Sequence, residues 1–139
     1  MNKSYDELIK LNTYAERFRY LKLNGSVGSE TFGEERHLNQ QFYTSPEWKE
    51  VRRYILIRDM GCDLGLHGYE IDGPIYVHHI NPITADDIIN RRPTIVDVNN
   101  LICVSMGTHN ALHYGDMSWI NNMDIVERRP GDTCPWRLV

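Results

Sequence analysis

Three cysteines, Cys62, Cys103 and Cys134, are too few and too oddly numbered for a disulfide scaffold. Apolar runs are also short. Tyr54-Ile55-Leu56-Ile57 is far below the ~20 residues that a membrane span needs. At the N-terminus Lys3, Asp6, Glu7 and Lys10 stand where a secretion signal would need an apolar core. Positive charge is in deficit, with 15 Lys+Arg against 19 Asp+Glu and a net charge of −4. A uniformly basic protein is therefore excluded, and any nucleic-acid contact must come from a local patch. Internal repeats and low-complexity segments are lacking. The expectation is a soluble intracellular chain with reduced thiols and, at 139 residues, one modest domain. Histidine is what the sequence has in quantity: of six, four fall in two tight pairs.

Local signals divide the chain into short elements. Ser4 and Glu7 form a capping box, and Leu8, Leu11, Ala15, Phe18 and Leu21 recur at helical spacing. They predict one helix from Tyr5 that Gly25 ends. Residues 24–36, with Gly25, Gly28 and Gly33, read as a loop. Ser45-Pro46 predicts a second helix start, with Trp48, Val51 and Ile55 as its apolar stripe and an end near Arg58. Ile75–His78 has strand composition, and Asn81-Pro82 ends it. Thr84 caps a short helix through Ile89, and Leu101–Val104 is a second strand. Thr108 then caps a last helix that Gly115 closes. The tail from Arg128, with Pro130, Gly131 and Pro135, reads as irregular and packed through Trp136.

The histidine pairs carry the chemistry. His109 and His113 are four apart on a predicted helix, so they share one face and can grip one metal ion from a rigid element. His78 and His79 are neighbours on a predicted strand, so their side chains point to opposite sides. One of the two can be a third ligand while the other is free to act as a base. An imidazole with an ordinary pKa of roughly 6.5 suits proton abstraction near neutral pH.

The run Tyr76-Val77-His78-His79-Ile80-Asn81-Pro82, then Asn100-Leu101-Ile102, then His109-Asn110-Ala111-Leu112-His113, resembles the HNH endonuclease family. Trp48-Lys49, Arg52 and Arg58-Asp59 before Cys62 look like the helix that leads into many such domains, so the resemblance covers about residues 45–116. It implies an α+β fold with a ββα-metal (His-Me finger) core, flanking N-terminal helices and an irregular C-terminal tail. The implied division is an N-terminal helical extension, 1–44, packed on a nuclease domain, 45–139. By the same resemblance His78, His109 and His113 are metal ligands, and His79 is the general base. Asn100 braces the loop between the strands and holds the base in position. The implied activity is metal-dependent hydrolysis of DNA phosphodiesters, leaving 5′-phosphate and 3′-hydroxyl ends. Arg17–Leu21 and Arg129–Thr133 look more loosely like phage-encoded relatives. That implies work beside a phage terminase in DNA packaging, in the cytoplasm of a bacterial host and away from membranes.

Many members of the family hold a structural zinc with two Cys-x-x-Cys pairs. Here Gly65 and Met106 stand at the second position of each pair, so a four-cysteine zinc site cannot form. Packing by Leu64, Leu66 and Met106 is the expected substitute, with His67 a less favoured replacement ligand. The single divalent cation of the active site is left open among Mg, Mn, Zn, Ni and Co. Lys49 and Arg53, four apart on the second helix, and Arg91 and Arg92 in the loop between the motif halves, are the candidate phosphate contacts. Arg52 is expected to pair with a carboxylate such as Asp59. Other contexts for the same chemistry are homing and host defence. A non-catalytic adaptor on the same scaffold is a further reading, and His79 argues against it because an adaptor has no use for a base.

Overall fold

A computed structural model describes residues 3–23, 36–66, 70–116 and 118. His67, most of the 24–36 loop, Cys134 and the tail from Arg128 lie outside the described residues. The architecture is α+β: helices packed on a small antiparallel sheet. In chain order the elements are α1 (Tyr5–Leu8), α2 (Tyr14–Leu21), α3 (Arg36–Tyr43), α4 (Pro46–Arg58), β1 (Tyr76–His79), α5 (Ala85–Ile89), β2 (Leu101–Val104) and α6 (Met106–Tyr114). Two 3₁₀ turns, Pro93–Ile95 and Val98–Asn100, lie between α5 and β2. Among the described residues no helix is long and apolar enough to cross a membrane.

The predicted first helix is two helices. Thr13 accepts from the Glu16 N–H and starts α2, while the Glu16 carboxylate accepts from the Asn12 N–H. Apolar spacing cannot distinguish one helix from two that share a buried face, and the second cap decides it. The capping box at Ser4 is half made. Its side chain accepts from the Glu7 N–H, but its own N–H donates to the Tyr20 hydroxyl. Helix α2 ends at Leu21, before Gly25, and α3 occupies a stretch that carries no local helix signal. Ser45 and Pro46 start α4 as expected, and Trp48 and Ile55 are its buried residues.

Strand β1 pairs with β2 in the register His78 to Ile102 and His79 to Leu101. Partners across an antiparallel pair share a face, so the register assigns each histidine a side. Ile102 lies in a cluster with Leu8, Leu21, Leu64, Ile80, Val104 and Leu112. Leu101 lies in a second cluster with Phe42, Trp48, Ile55, Ile83, Ile95 and Cys103. The sheet thus has α1, α2 and α6 on one side and α4 on the other. Leu8 and Leu21 are fully buried in the first cluster, so the N-terminal helices are part of the core.

Three polar clamps hold this small sheet. Asn100 is fully buried; its Oδ1 accepts from Asn81 N and Nδ2 at 2.7 and 2.8 Å, and its Nδ2 donates to the Asn81 and Thr94 carbonyls. Arg58 pairs with the buried Asp59 at 2.7 Å, and Asp59 accepts from Cys103 N, fixing α4 to β2. The expected Arg52–Asp59 pair is therefore not the one formed: Arg52 donates to the Ile75 carbonyl. The third clamp is Asp63. Its Oδ1 accepts from Gly65 N and Leu66 N, and its Oδ2 from Ser105 N, Ser105 Oγ and Thr108 Oγ1.

Two expectations at the start of α6 are corrected. The N-cap is Ser105, not Thr108: the Ser105 hydroxyl accepts from the Thr108 N–H, and both hydroxyls donate to Asp63. Met106 is 51% exposed and packs nothing in the core, whereas Leu64 and Leu66 are buried. The segments after Cys62 and Cys103 are thus joined by a buried carboxylate. Gly65 sits so close to Thr108 that an added Cβ would lie 2.6 Å from its methyl group. At its far end α6 closes on Gly115, left-handed at φ 63°, as the sequence predicts.

Candidate metal centre

Three histidines from two elements converge. His78 leaves β1 on the Ile102 side of the sheet, where α6 packs, and α6 presents His109 and His113 one turn apart. One ring nitrogen from each of the three lies within 4.8 Å of the others. The His109 and His113 rings are 4.3 Å apart, and the His78 ring stands nearly perpendicular to both. Tyr76, two residues before His78 on β1, stacks on His109 at 5.0 Å and 13°, which fixes that ring.

The donor set fits a divalent cation. His78 Nε2 and His109 Nδ1 are buried and have no hydrogen-bond partner among the described residues. An unsatisfied buried polar atom costs about 1–3 kcal/mol, a cost that a shared cation would remove. Burial, then the neighbouring imidazoles, pushes His78 well below the ordinary histidine range. Burial and His113 push His109 down to about 4, and burial lowers His113. All three are neutral at pH 7, the form that ligates metal.

A ligand that binds only the folded chain stabilises it by mass action, by about 2.7 kcal/mol at a hundredfold excess over Kd. His109→Ala and His113→Ala are each expected to weaken metal affinity and to lower Tm only when metal is present. Melting curves with added Mn²⁺ and with EDTA check this. Equal shifts in both conditions would make these residues packing groups.

His79 projects to the opposite side, over Trp48, with the rings 5.5 Å apart and near parallel. Its Nε2 donates to the Ile95 carbonyl at 2.9 Å. A carbonyl only accepts, so the proton is on Nε2 and Nδ1 carries the free lone pair. Burial pushes His79 down to about 4, against the raising effect of the Ile95 carbonyl and Asp87, so it too is neutral at pH 7. Asn100 acts at one remove. By clamping Asn81 and Thr94 it holds the turn that ends at Ile95, whose carbonyl orients His79.

All four histidines line one cavity of about 80 Å³, with Leu23, Val77 and Ile83 as apolar walls. That volume admits a cation with a phosphate group or a few waters, and not a whole nucleotide. Tyr43 also lines it. None of the four basic candidates is among the described lining residues. Lys49 and Arg53 are exposed on α4. Arg92 is held by Asp86 at 2.6 Å and Asp87 at 3.1 Å. Arg91, exposed and left-handed at φ 49°, borders a separate groove of about 680 Å³ with Phe42, Ser45 and Ile88.

Sequence reasoning missed Tyr43, the Tyr76 stack, the Ile95 carbonyl and Asp63. Only Asp63 left a trace, as the residue beside a Cys-x-x-Gly where a second thiolate is missing. Comparisons of the chain with protein-family models, curated proteins and solved structures find no match.

Proposed function

We propose that the chain is a metal-dependent endonuclease or nickase of the HNH type, with a ββα-metal core made by β1, β2 and α6. The observation that carries this reading is the division of labour across β1. His78 joins His109 and His113 as a ligand set, while its neighbour His79 opens into the same cavity with a bare Nδ1. A divalent cation held by the triad would supply a Lewis acid for the phosphate and for the leaving 3′ oxygen. His79 Nδ1 takes a proton from water as the water oxygen bonds to phosphorus. The bond from phosphorus to the 3′ oxygen breaks, and that oxygen leaves as a hydroxyl after taking a proton from solvent. The Ile95 carbonyl, accepting from Nε2–H, favours the positive charge that His79 gains in this step. Trp48 keeps the ring from turning away.

DNA is the proposed substrate, with Lys49 and Arg53, exposed on α4, and Arg91, at the separate groove, as phosphate contacts outside the cavity. Arg92 would join them only by leaving its two carboxylates. A role beside a phage terminase in packaging is the proposed setting. The test is nicking of supercoiled plasmid by wild type and by His79→Ala in Mg²⁺, Mn²⁺, Co²⁺, Ni²⁺ and Zn²⁺. Metal-dependent nicking by wild type alone supports the reading. A folded wild type that is inactive in all five metals rejects it in favour of an adaptor.

A further inference from the structure

We propose that Tyr43 contacts substrate: its hydroxyl donates a hydrogen bond to a non-bridging oxygen of the phosphodiester held at the histidine triad. The inference rests on the phosphodiester reading above and adds a group that the sequence did not single out. Tyr43 ends α3 and lines the cavity that His78, His79, His109 and His113 share. Its ring is set by two aromatic neighbours, Phe42 at 5.0 Å and Trp48 at 5.1 Å, the latter edge to face. Trp48 in turn stacks on His79. The phenol is therefore positioned through one rigid ring against the imidazole that meets the water.

The cavity needs such a donor. Charge builds on the phosphate oxygens in the transition state, and preorganised donors in a dry site stabilise it. Among the described lining residues none is Lys or Arg, and Tyr43 brings the one hydroxyl. Tyr43 is 40% exposed, so it stands where the cavity meets solvent, which is where a phosphate must enter. The structure gives its hydroxyl no hydrogen bond among the described residues, so the O–H is available to a ligand. A phenol keeps its proton at neutral pH and so donates.

The test is Tyr43→Phe, which keeps the ring packing and removes only the O–H. Three quantities are measured on the full chain: Co²⁺ affinity by calorimetry, binding of dimethyl phosphate to the Co²⁺-loaded protein by its visible spectrum, and plasmid nicking. The expected result is Co²⁺ affinity within about twofold of wild type. Dimethyl phosphate affinity should fall roughly tenfold, and nicking by roughly 10–100-fold. A variant that binds dimethyl phosphate and nicks like wild type overturns the proposal. Wild type that binds Co²⁺ and dimethyl phosphate but cleaves nothing rejects the nuclease reading alone; a loss of diester affinity in Tyr43→Phe then still supports the contact. Wild type that takes Co²⁺ but no dimethyl phosphate overturns both.

Discussion

His79→Ala is expected to lower the nicking rate by roughly 10²–10⁴-fold, the range for loss of a positioned general base, and to leave metal affinity unchanged. The second half follows from the register. His79 pairs with Leu101 and lies against Trp48 on α4, whereas His78 pairs with Ile102 and faces α6. Truncation removes the hydrogen bond to Ile95 and opens space beside Trp48, so a modest drop in Tm of the metal-free protein accompanies it. Calorimetric titration with Mn²⁺ beside the nicking assay separates the effects. Lost metal binding in His79→Ala, with binding retained in His78→Ala, would mean that the two histidines have exchanged roles.

Asp63→Ala is expected to be the most destabilising single change outside the apolar core. The carboxylate is 1% exposed and accepts five hydrogen bonds, two from the Gly65 and Leu66 N–H groups and three from the start of α6. Alanine leaves those donors buried at about 1–3 kcal/mol for each one that finds no water. A loss of about 3–5 kcal/mol results, which lowers Tm by roughly 10–20 °C in a domain of this size. Asp63→Asn retains one acceptor oxygen and should fall between. Because α6 carries His109 and His113, metal affinity should fall with stability. Thermal melts monitored by circular dichroism check the order wild type, Asn, Ala. An Asp63→Ala protein that melts with wild type would show that solvent takes over these donors at no cost.

The site was more legible than its supports, and the reason is range. His109 and His113 declare a shared face through a four-residue interval, and adjacency of His78 and His79 on a strand declares opposite faces. Ser45-Pro46 and Gly115 are local signals that fixed the start of α4 and the end of α6. Each of these is decided within a few residues. Asp63 reaches donors 42–45 residues away, and nothing near it says that Ser105 and Thr108 will arrive there. Arg17 is fully buried and donates to the Leu64 carbonyl, 47 residues away, and nothing near it in the sequence says that a cation will be inside. Tyr43 was hidden for another reason. It ends a helix with no N-cap signal, in a stretch read without any element. Apolar spacing hides the break between α1 and α2, because Leu8, Leu11, Phe18 and Leu21 fit one helix as well as two; the signal that marks it is a second capping pair, Thr13 and Glu16.

The most direct test of the central claim, that the histidine triad is the metal centre of a phosphodiester hydrolase, couples occupancy to rate. The chain is titrated with Mn²⁺, and calorimetric saturation and plasmid nicking are followed on the same samples. The expected result is one Mn²⁺ per chain, a nicking rate that rises in step with that occupancy, and loss of both in EDTA or in the combined His78→Ala, His109→Ala, His113→Ala variant. Saturation of one site with no nicking, or nicking that persists in EDTA or in the triple variant, would contradict it.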